Sequence, residues 1–308
     1  MSFERIRHRL QRGRPLVLDA DTGASFRARG LSLDTPGALG LLLRERPLEV
    51  LEHYRTEVGS RVDVLCALTA DTTPRSLAEV GMAHRAAMLT SISVELAMDA
   101  AQASDKTVAV AGVLGSDMVS PVAADRMLEE LREHAVRLAV AGCELLIARG
   151  QGSRLELMAA VVAAAGTDLP TWAVVECTRS GELTDGGAVS ELLEALEEAG
   201  ASAVLFEVPS VDAGLEQLTR VFAIAEQSEI ISVPGVLLAA SDHSVRGFPD
   251  ADSEPRRWVE RALDLDAAGA RVIGGGAGTV EAHTATLAGA LGLLHPSLPV
   301  SRPATRLE

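Results

Sequence analysis

Asp19, Cys66, Thr69, Arg149, Glu176, Cys177 and Glu207 each stand at or just beyond the end of a short apolar run, and His243 lies in a polar loop after another. Gathered at one place, they would supply carboxylates for general-base work, a guanidinium for an anion, two thiols and an imidazole. Asp19, Glu176 and Glu207 are the candidate bases. Val272, Ile273, Gly274, Gly275, Gly276, Ala277, Gly278 and Thr279 add a strand entering a glycine-rich turn and then a helix. The amides of Gly274, Gly275 and Gly276 are expected to line an anion pocket with Arg149 and Thr69.

Each group also has a plainer role. Cys66 and Cys177 suit small buried hydrophobic positions, and Arg149 suits an ion pair with Glu176 or Glu207. His243 reads as a solvated loop residue, Asp19 as a helix cap, and the glycines as spacers that let backbones approach closely.

The elements that must position these residues follow from the alternation of short β-branched runs with longer Ala/Leu/Glu/Arg runs, which is the pattern of repeated βα units. Eight strands are expected, near residues 16–19, 62–67, 108–112, 145–149, 172–177, 203–208, 230–236 and 271–274. Three of them follow the same phrase, a helix ending in Ala-Gly, at Gly142, Gly200 and Gly269. Glycine there relieves a left-handed C-cap before the chain re-enters the sheet. One unit repeated eight times closes most simply as a single α/β (β/α)8 TIM barrel over residues 1–295, with an open doubly wound sheet as the alternative. Residues 296–308, with Pro296, Pro299 and Pro303, read as a loose C-terminal tail. In a barrel the reactive groups sit at the C-terminal ends of the strands, where the residues above fall.

Composition bounds the rest. A chain of 308 residues buries a full core. Its 47% apolar share comes with only 3% aromatics, which suits close packing of helices on a parallel sheet. A net charge of -15 argues against nucleic acid, whose phosphates require clustered Lys and Arg. Three unevenly spaced cysteines argue against a disulfide framework and for a reducing cytoplasm. The charged first ten residues have no apolar core of a signal peptide, and no run approaches the length of a membrane span.

The chain resembles the homocysteine S-methyltransferase family over nearly its whole length. The resemblance rests on Leu18 to Gly23, on Val62, Asp63 and Val64 with Thr69, and on Ala111 to Gly115. It continues through Trp172 with the later Gly181 to Gly186, and ends on Ala270 to Gly275 with Gly278 and Thr279. It implies a zinc-dependent barrel, with zinc held by one cysteine after strand six and a cysteine pair after strand eight. Those positions match Val208, Gly276 and Ala277, none of which offers a thiolate. The family's Glu after strand four, which receives the amino acid's ammonium, matches Arg149, and an Asn beside the strand-six cysteine matches Glu207.

Three readings follow. The first is a diverged transferase that moves a methyl or other one-carbon group to a small acceptor, with an anionic group expected on the substrate and no cofactor. The second is a non-catalytic homologue acting as a small-molecule-binding, regulatory or scaffold subunit with a protein partner. The third is a relocated metal site built from Cys66, Cys177, Glu207 and His243.

Overall fold

The computed structural model of the protein describes all residues except 1, 34, 116–122, 151–152, 179, 181, 210–214, 228–233, 241–254 and 295–308. His243, its polar loop and the C-terminal tail therefore lie outside the described residues.

The chain opens with helix α1 (Ser2–Gln11), strand β1 (Leu16–Val17), helices α2 (Thr22–Ala28), α3 (Ala38–Glu45) and α4 (Pro47–Gly59), and strand β2 (Val64–Ala67). Next come α5 (Pro74–Ala78), α6 (Ala86–Gln102), β3 (Ala109–Leu114), α7 (Ala124–Ala141), β4 (Leu145–Arg149), α8 (Arg154–Ala165) and β5 (Thr171–Glu176). The last part comprises α9 (Val189–Glu198), β6 (Ala203–Val208), α10 (Leu215–Gln227), β7 (Pro234–Leu238), α11 (Pro255–Ala267), β8 (Val272–Gly275) and α12 (Glu281–Leu294).

All eight strands run parallel in the order β1-β8-β7-β6-β5-β4-β3-β2. A parallel bridge from Leu18 to Val64 joins the two ends, so the sheet closes on itself. The expected (β/α)8 TIM barrel is the observed fold. Residues 145–149 and 203–208 form strands as expected, and the ends of the other strands apart from strand seven lie within two residues of expectation. Strand seven was expected at 230–236. Its described part, Pro234–Leu238, ends two residues later than expected, and residues 230–233 lie outside the described residues. The Pro234 carbonyl accepts from the Arg271 amide at 2.7 Å. The three Ala-Gly phrases behave alike: Gly142, Gly200 and Gly269 have φ of 106°, 100° and 117°.

Strand alternation divides the apolar residues into two layers. Leu16, Leu18, Val64, Ala109, Ala111, Leu145, Ile147, Trp172, Val174, Ala203, Leu205, Leu237 and Val272 form one buried cluster inside the barrel. The intervening residues, including Leu65, Val110, Leu146, Val175, Phe206 and Ile273, pack outward with the helices. Phe3 and Ile6 of α1 join the inner cluster and close the barrel's N-terminal end, with Phe3 6.3 Å from the Trp172 ring. Asp63 anchors this plug. Its buried carboxylate pairs with Arg9, lies 2.8 Å from Lys106 Nζ and accepts the Val17 amide at 2.9 Å.

Candidate functional site

The same alternation that fills the barrel decides which strand-end groups face its mouth. Leu145 and Ile147 point inward, so Arg149 does too; Trp172 and Val174 do the same for Glu176, and Ala203 and Leu205 for Glu207. Arg149 and Glu207 form an ion pair across β5, with side chains 31% and 16% exposed. Glu176 and Glu207 are register partners on adjacent strands. One guanidinium and two carboxylates thus occupy a single arc of the rim, over β4, β5 and β6.

Asp19 follows β1 and is buried, and its Oδ2 accepts the Cys66 amide at 2.8 Å. Burial raises its pKa to about 6, against the pull of those Cys66 hydrogen bonds. The Cys66 thiol also hydrogen-bonds to Asp19; burial and then the Asp19 charge push it well above its usual range. Cys66 therefore stays a neutral thiol at ordinary pH. Cys177 packs outward with Val175 and the helices, and its pKa rises to about 12, through burial first and then Glu207 and Glu176. The two thiols do not share the mouth. Among the described residues no group of three or more His, Cys, Asp and Glu could hold a metal ion.

Thr69 lies fully buried. Its hydroxyl donates to Val113 O at 3.0 Å and accepts from Val113 N at 2.8 Å, tying β2 to β3. The glycine-rich turn is equally engaged. The Gly275 amide donates to Asp19 O at 3.1 Å, Gly276 to Leu238 O at 2.9 Å and Gly278 to Asp21 Oδ2 at 3.1 Å. Gly274 lies within the β7–β8 ladder. Thr279 completes this seam, donating to Gly276 O at 2.7 Å and accepting the Asp21 amide at 3.0 Å. Asp21, rather than Asp19, caps α2, through the Ala24 amide at 3.1 Å.

Sequence reasoning missed the polar layer behind Asp19. Glu57 on α4 is completely buried, and Thr284 Oγ1 donates to its Oε2 at 3.2 Å. Burial, then the Asp19 charge, lifts its pKa to about 8. Tyr54, one turn away on the same face, accepts the Leu68 amide at 2.7 Å and lies 3.0 Å from Ser93 Oγ. The signal was present in the spacing. Val50, Tyr54, Glu57 and Val58 share one apolar stripe, and a glutamate on such a stripe is an anomaly.

The sequence profile of the homocysteine S-methyltransferase family matches residues 16–291. The chain belongs to this family. No curated protein sequence matches it closely enough to count as a relative. Among solved structures it is similar to the homocysteine methyltransferase MmuM from Escherichia coli. The metallated form aligns at 20% identity and TM-score 0.77 over 92% of this chain and 99% of that one. The oxidized form of MmuM gives 20% identity and TM-score 0.72, covering 90% and 96%. The carboxyl transferase domain of Rhizobium etli pyruvate carboxylase, solved with pyruvate, is a more distant barrel. It aligns at 14% identity and TM-score 0.52, covering 85% of this chain and 40% of that one. At these identities the structural likeness establishes the barrel alone. No helix among the described residues is long and apolar enough to cross a membrane.

Zinc, which the family resemblance implies, finds no donors at the matched positions. Val208 packs into the outer apolar layer, and Gly276 and Ala277 have no ligating side-chain atom. Among the described residues no donor set fits the ion.

Proposed function

We propose that the chain is a transferase that moves a methyl or other one-carbon group to a small acceptor held at the β4–β6 arc. Membership of the methyltransferase family supports the reaction class. The observation that carries the site is the inward convergence of Arg149, Glu176 and Glu207 at the C-terminal rim. Arg149 receives a carboxylate of the acceptor, exchanging it for Glu207, and Glu207 or Glu176 then faces any ammonium on the same molecule. Asp19, buried beside Cys66, is a further candidate base. Its pKa of about 6 lies within roughly 2–3 units of a free thiol, closer than an ordinary carboxylate. In the transfer, the bond between methyl and donor breaks, a bond from methyl to acceptor forms, and the acceptor's proton passes to the carboxylate. Thr69 and the amides of Gly275 and Gly276 act by holding the rim's shape, because their hydrogen bonds already lie within the barrel.

The test is transfer of a 13C-methyl group to homocysteine, followed by NMR, from a sulfonium donor and separately from a quaternary ammonium donor. Labelled product that falls at least about 100-fold in Asp19→Asn supports the reading. Wild-type protein that yields no labelled acceptor with either donor would overturn it. The second reading, a ligand-binding or regulatory subunit, is favoured by one observation: the Arg149 guanidinium is already paired with Glu207. Homocysteine binding by calorimetry without turnover would select it.

A further inference from the structure

The three positions matched to the family's zinc thiolates lie beside a seam that the backbone itself has closed. A Cβ built on Gly276 would lie 2.8 Å from Ala239 N, 2.9 Å from Leu238 C and 3.1 Å from Leu237 O. All three are main-chain atoms, which cannot swing aside as a flexible side chain does. Two hydrogen bonds hold them there. Gly276 N donates to Leu238 O at 2.9 Å, and Ala240 N donates to Ala277 O at 2.9 Å, lacing the ends of β7 and β8 together. Leu238 is fixed from outside as well, since the buried Trp258 Nε1 donates to the same carbonyl at 2.9 Å.

Val208, on the next strand, is fully buried in the outer apolar layer, on the face away from the lumen. The carboxylate that precedes it, Glu207, carries its counter-charge in the guanidinium of Arg149. A divalent cation entering beside Glu207 would meet that fixed positive charge.

We propose that this mouth is closed to zinc by its main chain and by its own guanidinium, so that restoring the three thiols restores no metal site. Loss of ligands alone would leave a cradle that cysteines could refill. Here the cradle is also crowded, by β7 backbone against the place where the Cβ of the first cysteine of the pair would stand.

The experiment reads metal rather than turnover, so its outcome is separate from that of the transferase reading. Wild-type protein, the Val208→Cys/Ala277→Cys variant and the Val208→Cys/Gly276→Cys/Ala277→Cys variant are exposed to zinc chloride, desalted and analysed for zinc. Parallel samples receive cobalt(II) chloride and are scanned for thiolate-to-cobalt charge-transfer absorption. The expected result is zinc far below one per chain in all three and no thiolate-to-cobalt band. Near one zinc per chain in the folded triple variant, or in the wild type, would overturn the proposal. If the triple variant does not fold, by circular dichroism and gel filtration, Gly276→Ala decides, because it adds only the crowded Cβ. A melting temperature equal to the wild type's overturns the closure, and a drop of several degrees supports it.

Discussion

Two arcs of the barrel mouth differ in how they use the same strand ends. The seam over β7, β8 and β1 offers mostly small residues, Ala20, Ala239, Gly275 and Gly276, and binds its polar atoms to its own backbone. The arc over β4, β5 and β6 offers Arg149, Glu176 and Glu207, with side chains that face the lumen and remain partly exposed. The first arc is tied into the fold, with the buried Asp19 behind it, and the second presents charged side chains to the lumen. A barrel can move its reactive centre around the rim without changing its fold, because each strand end is an independent place to put a side chain.

The sharpest break would be at the seam. Gly276→Val sets branched carbons against β7 backbone, and we expect a loss of about 3 kcal/mol or more, of the size seen for overpacked or strained core sites, or failure to fold. Thermal unfolding reads it. A variant as stable as the wild type would mean that the seam is loose and that the closure to zinc has no mechanical basis.

On the charged arc, Arg149→Ala should weaken binding of a carboxylate-bearing acceptor about 10-fold or more while costing only about 1 kcal/mol of stability, since its side chain is 31% exposed. Calorimetry with homocysteine and a melting curve separate the two. Unchanged affinity would remove Arg149 from the site and leave it a structural ion-pair partner.

Much of this contrast was readable in the residues. The eight strands, their closure and the inward facing of Arg149, Glu176 and Glu207 follow from period-two alternation along strands that end in a polar residue. Cys177 is absent from the mouth because it stands one residue beyond Glu176, and a single step in a strand turns a side chain to the opposite face, so its reading as a small buried hydrophobic residue is the one that holds. Thr69 and the glycine amides were read as ligand contacts because their types fit that role, but hydrogen-bond partners far apart in the chain, such as Val113 for Thr69 and Leu238 for Gly276, leave no local mark. Glu57 was detectable as a carboxylate on an apolar helix face. Its connection to Asp19 needed the fold.

Glu57 sharpens the comparison from beneath the seam. Its folded pKa of about 8 lies above its unfolded value of about 4.5, so the folded state holds the extra proton. The stability this confers is complete below about pH 4.5 and is lost as pH rises through 8. His53 and His134 act in the opposite direction and lower down. Burial lowers both to about pKa 4, so they cost stability only as pH falls below about 6.5. Between pH 7 and 8 the slope therefore belongs chiefly to Glu57, and nearer pH 9 the buried thiols of Cys66, Cys143 and Cys177, whose pKa burial raises, add to it. We expect wild-type protein to lose about 1–2 kcal/mol over that interval and Glu57→Gln to lose much less. Denaturant melts at pH 7, 8 and 9 check this, and parallel slopes would mean that Glu57 is ionised throughout and that Asp19 has a charged rather than a neutral neighbour.

The smallest effect should come at the rim of the seam, where Glu281 faces Arg29 at 3.6 Å with both side chains about one-third exposed. An exposed pair at that distance contributes little, so removing only its charge with Glu281→Gln should cost less than about 0.5 kcal/mol and vanish in high salt. The substitution still informs the comparison. Glu281 also accepts from Ser25 Oγ at 3.3 Å, and its charge raises the pKa of Glu57 as a minor cause behind burial and Asp19. If Glu281→Gln shifts the pH dependence of unfolding downward without changing stability at pH 7, the buried carboxylates sense the seam's outer charges. If it does neither, Glu57 and Asp19 form a closed pair, and the proton held behind the mouth is governed by burial and by Asp19.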